Sequence, residues 1–152
     1  MVPGPSDLTG GTPGAEDDRQ PVPTGLAVDP DGGFFVGLLS EGWPAGSPSI
    51  LHLDMDGTFT TVATDLVMVV ALYVDSDGNL FATQLTTDLS SQQAPGNVLQ
   101  IDDSGNATPV VDGLAIPHGT ATDSDGNLYV AVVSINIAPQ PLGQVLKCII
   151  SM

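Results

Sequence analysis

Positive charge is almost missing from this chain: Arg19 and Lys147 are its only Lys or Arg, set against 18 Asp and Glu, for a net charge of −16 over 152 residues. Nucleic acids and anionic membranes are held by clustered Lys and Arg, so both are excluded as partners. Cysteine is as scarce: Cys148 stands alone, so no intrachain disulfide forms and no Cys-based metal site can be built. The longest apolar run, Leu66 to Val74, has nine residues and is too short to span a bilayer. No stretch sustains the apolar period of a helix, which excludes a long one. There is no Gly-x-Ser-x-Gly, no His-Glu-x-x-His and no phosphate-cradling glycine loop, so no catalytic residue is assigned. No charged and then apolar leader opens the chain, so no signal peptide is expected in it as given.

What is present is a globular composition, 41% hydrophobic, punctuated by 18 Gly and 13 Pro. A heptapeptide recurs: Asp75-Ser76-Asp77-Gly78-Asn79-Leu80-Phe81 returns as Asp123-Ser124-Asp125-Gly126-Asn127-Leu128-Tyr129, with a looser copy at Asp29-Pro30-Asp31-Gly32-Gly33-Phe34-Phe35. Each copy ends one apolar run at an Asp, turns through Asp-Gly and leaves in a second apolar run, the composition of a β-hairpin. The copies start 46 and 48 residues apart. A second kind of hairpin follows in each unit, at Asp54-Met55-Asp56-Gly57 and at Asp102-Asp103-Ser104-Gly105. These turns hold ten of the eighteen carboxylates, where Asp serves backbone hydrogen bonding.

Two hairpins in each unit mean four antiparallel strands, the length and strand count of a β-propeller blade. The sequence therefore predicts an all-β partial β-propeller: a disordered tail or linker over 1–23, then 24–152 as about three four-stranded antiparallel blades (about 24–66, 67–114 and 115–150), the last incomplete. Three blades do not close a ring, and closure is what protects strand edges. The chain is thus expected to be part of a longer protein, an open array, or one half of a homodimer completing a six-bladed ring.

The succession Val22-Pro23-Thr24-Gly25-Leu26-Ala27-Val28-Asp29-Pro30-Asp31-Gly32, the Asp75 heptapeptide, Ile116-Pro117-His118-Gly119, Asp125-Gly126-Asn127-Leu128-Tyr129-Val130 and Gly143-Gln144-Val145-Leu146-Lys147 resembles the C-terminal half of the ScyD/ScyE family. Those are bacterial NHL-like β-propeller proteins named after a gene cluster for the pigment scytonemin. The resemblance implies a propeller fold and an exported setting. It carries over no catalytic residues, because the family has none established. Its members are about twice this length and usually begin with an export signal, so the chain reads as a fragment or shortened product.

Asp-x-Asp-Gly resembles part of a calcium loop, which makes calcium the one cofactor to consider; the third ligand and the distal Glu are missing, and a tight turn with Gly in the left-handed position explains every copy. No metal ligands are assigned. Alignment of the units puts Thr24, Val70 and His118 at one position, the start of the strand that lines a propeller's channel, and an imidazole there suits a base or a ligand. His52 aligns with Gln100 and Lys147 on what reads as an outward polar face. Trp43, in a Gly- and Pro-rich loop, suits a contact anchor. The binding residues expected are therefore His118, Thr24 and Trp43. The leading expectation is a non-enzymatic binding module for a protein or a small molecule. The alternative is a divalent-metal-dependent hydrolase or lactonase of the gluconolactonase or strictosidine-synthase-like propeller class.

Overall fold

The computed structural model describes residues 22–39, 45–91, 94–132 and 143–149. Trp43, and the segment read as a tail up to residue 21, lie outside the described residues. Pro23, the last residue assigned to that tail, opens the first strand.

Each repeated Asp closes its own hairpin. In the Asp75 turn, the Gly78 amide donates to the Asp75 carbonyl (3.1 Å) and the Asp75 amide to the Asn79 carbonyl (3.1 Å). Asp75 Oδ1 then accepts the backbone amides of Asp77 (2.9 Å) and Asn79 (2.8 Å), while Asn79 Nδ2 donates to Asp75 Oδ2 at 2.8 Å. Gly78 has φ 87°, the left-handed conformation that such a loop demands and that a side chain would strain. Asp102 with Asn106 and Asp123 with Asn127 repeat the whole pattern. The turn is thus a small closed network in which Asp and Asn, four residues apart, satisfy each other and the loop amides.

Hairpins set this way give eleven strands and, among the described residues, no helix: β1 (Pro23–Val28), β2 (Phe34–Leu38), β3 (Pro48–Leu53), β4 (Phe59–Thr64), β5 (Val69–Val74), β6 (Leu80–Gln84), β7 (Gly96–Ile101), β8 (Ala107–Leu114), β9 (Pro117–Thr122), β10 (Leu128–Val132) and β11 (Gln144–Cys148). They form three antiparallel meanders, β1-β2-β3-β4, β5-β6-β7-β8 and β9-β10-β11. The registers correspond: Phe35 faces His52, Phe81 faces Gln100 and Tyr129 faces Lys147. The sheets meet mainly through their first strands, β1 on β5 and β5 on β9. The chain is a partial β-propeller, with sheets of four, four and three strands.

Strand alternation gives every sheet two unlike faces. The first sheet turns Ala27, Phe35 and Ile50 onto Leu72, Leu80, Leu99 and Ile101 of the second. A Cβ at Gly25 would stand 2.9 Å from the Leu72 amide nitrogen, so the two backbones nearly touch there. The second sheet turns Tyr73, Phe81 and Val98 onto Leu128, Val130 and Val132 of the third. Hydroxyls stitch this second interface, Tyr73 to Thr122 and Thr83 to Thr120 (2.6 Å). The crossovers repeat as well. Asp65 (φ 60°) and Gly113 (φ 75°) occupy one equivalent position, and Met68 (φ 45°) and Ile116 (φ 46°) the next, so the chain makes the same left-handed steps between blades even where a bulky residue bears a conformational cost.

Asp123 supplies a check on the turn network. The Asn127 side chain, followed by the Asn127 amide, the Tyr129 hydroxyl and the Asp125 amide, holds its carboxyl at about 2, below the ordinary 3.8. The unfolded chain therefore takes up the proton first as pH falls, so the turn's contribution is intact above about pH 4 and is lost toward pH 2. Asp102, held low mainly by the Asn106 side chain, acts in the same direction. The urea midpoint is expected to drop between pH 4 and pH 2, with a shallower drop for Asp123→Asn; equal slopes would contradict the network.

Candidate ligand cleft between the first two sheets

The first turn lacks the Asn. Gly33 (φ 94°) stands where Asn79, Asn106 and Asn127 stand in their copies, and its space is taken by a ring from the third strand. A Cβ on Gly33 would collide with the Leu53 carbonyl oxygen and come within 3.0 Å of His52 Cε1. His52 Nε2 lies 2.9 Å from Asp29 Oδ2 and 3.1 Å from the Gly32 carbonyl, and Nδ1 lies 3.4 Å from Asp54 Oδ1. The imidazole thus bridges both hairpin turns of its sheet, packed edge-on against Phe35 with ring centroids 5.2 Å apart. Gln100 and Lys147 reach for the same turn in their own sheets: Gln100 Nε2 to Asn79 Oδ1 at 3.4 Å, and Lys147 Nζ to Asp123 Oδ2 at 3.9 Å. His52 is not on an outward polar face, as its alignment suggested; its side chain is 14% exposed, because the missing Asn leaves a hole that it fills.

Beside this ring the first two sheets diverge and leave a cleft of about 610 Å³. Asp29, His52 and Phe35 form one wall, and Asn79, Gln100 and the Asp102–Asp103 turn the other. Its ends are fixed by close approaches. A Cβ on Gly78 would be 4.0 Å from the Pro30 ring, and one on Gly105 would collide with the Val62 carbonyl oxygen. The cleft therefore opens beside the short Asp-Gly turns.

The residues singled out in the sequence fall elsewhere. Thr24 and His118 are both exposed, on β1 and β9, and Val70 on β5 is half-buried between them in the order of the strands. The Thr24 hydroxyl donates to the carbonyl of Val69 and lies 3.4 Å from that of Gly37, which commits it to backbone. Among the described residues no three His, Cys, Asp or Glu gather where they could hold a metal ion. The carboxylates of Asp75, Asp102 and Asp123 use their oxygens on loop amides and on the Asn four residues on, as described. The cleft itself is invisible in the sequence because two different units build it; its one sequence signal is Gly33 replacing Asn in the copy whose third strand carries a His.

No protein-family model matches the chain, and no curated protein matches it in sequence. Solved structures do match in fold. One is a Thermus thermophilus protein assigned as an oxidoreductase (glucose dehydrogenase), with 22% identity and a TM-score of 0.54 over 74% of this chain and 37% of that one. Another is streptogramin B lyase, with 14% identity and a TM-score of 0.50 over 82% of this chain and 39% of that one. Both are propeller proteins, and at these identities the likeness shows the fold alone. The chain spans less than two fifths of the length of each.

Gly33→Ala tests the wall of the cleft. The left-handed φ and the collision with Leu53 are expected to lower the unfolding free energy by about 1–3 kcal/mol, read from urea denaturation. An unchanged midpoint would mean that His52 and Gly33 are not packed as described.

Proposed function

We propose that the chain is part of a ScyD/ScyE-type β-propeller that acts as a binding module, taking a small polar molecule with a cationic group into the cleft between its first two sheets. The observation that carries this reading is the cleft: about 610 Å³, within the ordinary range for small-molecule sites, with Phe35 and Leu80 as apolar wall and Asn79, Gln100 and carboxylates converging on it. Asp103 supports the sign of the ligand, since no hydrogen bond within its turn engages its carboxylate, and a net charge of −16 draws cations toward the whole chain. Family resemblance supports an exported setting. It says nothing of the ligand.

The hydrolase or lactonase reading needs a divalent ion in the channel, and the residues at the aligned channel position, Thr24, Val70 and His118, do not make a donor set for one. No step is derived through such an ion. The oxidoreductase and lyase activities named for the two solved structures belong to those proteins, and no residue here supports transferring either.

Calorimetric titration with putrescine, and with uncharged 1,4-butanediol as its control, tests the reading. Saturable binding of putrescine alone is expected, weakened at least about threefold by Asp103→Asn, a loss of order 1 kcal/mol for one exposed charge partner, and unaffected by His118→Ala. Equal binding of the two compounds, or none, would contradict the proposed ligand class. Hydrolysis of a lactone panel that disappears in His118→Ala would overturn the binding-module reading in favour of the enzyme.

A further inference from the structure

The two interfaces inside the chain are built from one pair of faces used twice. On the face that receives the preceding sheet, the second sheet presents Leu72, Val74, Leu80, Ala82, Leu99 and Ile101, and the third presents Leu128, Val130, Val132 and Leu146. The equivalent positions of the first sheet are Leu26, Val28, Phe34, Val36, Leu51 and Leu53, and no described sheet lies against them. The centre of that face is closed by the sheet's own cluster, Val36 (6% exposed), Leu38 and Leu51 (7%) with Leu53 and Phe59 packed against them, but the positions along β1 and at Phe34 differ sharply from their counterparts. Leu72 is 8% exposed and its counterpart Leu26 is 66%; Leu80 and Leu128 are 5% and 0%, and their counterpart Phe34 is 36%. Val28 is 65% exposed.

The opposite kind of face is left over at the other end. Ala27, Phe35 and Ile50 in the first sheet and Tyr73, Phe81 and Val98 in the second are the positions that press on the following sheet. In the third sheet those positions are Ala121, Tyr129 and Val145, paired through β10 in the same register. Ala121 is exposed, Tyr129 half-buried, and Val145 is 70% exposed. Among its described sheets the chain therefore carries one receiving face that is open at Leu26, Val28 and Phe34 and one pressing face that is open at Ala121 and Val145, each matching a surface that already packs inside the same molecule.

We propose that these two faces join between copies: the third sheet of one chain packs on the first sheet of a second, and the reciprocal contact closes a two-copy assembly. The occupant follows from the page. Each face has a partner of its own kind within this chain, the first solved structure that matches is about twice this chain's length by the two coverage figures, and a contact between unlike faces closes only if the rotation returns to the start. Closure also removes edges that an open array would leave to nonspecific pairing. The opposing term is charge, since each copy carries −16. Repulsion between such copies is long-ranged at low ionic strength and is screened within about 3–10 Å at 1–0.1 M salt, so added salt favours the pair. This inference does not rest on the cleft reading and fails or stands without it.

Light scattering coupled to size exclusion, on the full chain at low salt and in about 0.5 M sodium chloride, tests it. A mass near twice 15.5 kDa is expected in the higher salt. Leu26→Glu and Val145→Glu, both at exposed positions, are each expected to give a monomer with an unchanged β circular dichroism spectrum. An equimolar mixture of the two is expected to recover a pair, because one sound interface remains between the intact first sheet of Val145→Glu and the intact third sheet of Leu26→Glu. A parent chain of 15.5 kDa at every salt concentration would overturn the proposal. So would a pair broken by only one of the two substitutions, or variants that stay paired.

Discussion

The carboxylate of Asp75, Asp102 and Asp123, captured in each case by the loop amides two and four residues on, is the interaction on which the rest of the structure depends. It fixes where one strand stops and the next begins, and a slip of one residue would turn every side chain to the other face. With the register fixed, Phe35, Phe81 and Tyr129 fall on corresponding pairs, and each sheet acquires one face of the kind that receives a preceding sheet and one, carrying these aromatics, of the kind that presses on the next. Packing the first kind on the second, twice, produces the core. The same choice explains much of the chain's acidity, since the Asp residues are placed by turn geometry and not gathered into a patch.

One departure from that rule generates the candidate site. Where Asn is replaced by Gly33, the turn loses its side-chain partner, and His52 enters from the neighbouring strand to hold Asp29. The ring leaves the register undisturbed because its position in β3 is also that of Gln100 and Lys147 in their strands, and those side chains reach for the same place. What changes is the surface left beside it: a cleft with a half-buried imidazole on one wall and the Asp102–Asp103 turn on the other.

The strands are legible in the sequence because their signals are local. Asp-Gly turns, alternation and a repeat of 46 and 48 residues suffice to place the hairpins and to give the propeller fold. The left-handed Met68 and Ile116 are not legible, since no local signal marks a bulky residue in that conformation and only the packing of successive blades imposes it. The cleft is hidden for a similar reason: Asp29 and Asp103 belong to different units and meet only across an interface. Alignment makes Thr24 a channel residue, but its hydroxyl meets backbone carbonyls, a use that alignment does not show. His52 reads outward in the sequence because alternation gives a side chain a face but not what lies against that face.

Amide hydrogen exchange at Asn79, Asn106 and Asn127 tests the central claim most directly. Each of these amides donates to the carboxylate of the Asp four residues before it, at 2.8–2.9 Å, with no ladder partner needed to explain its protection. Slow exchange is predicted at all three, with loss of protection confined to the altered turn when its Asp is changed to Ala. Exchange at the rate of an open loop in the unaltered chain would mean that the carboxylates do not hold the turns, and the register and both faces derived from them would lose their foundation.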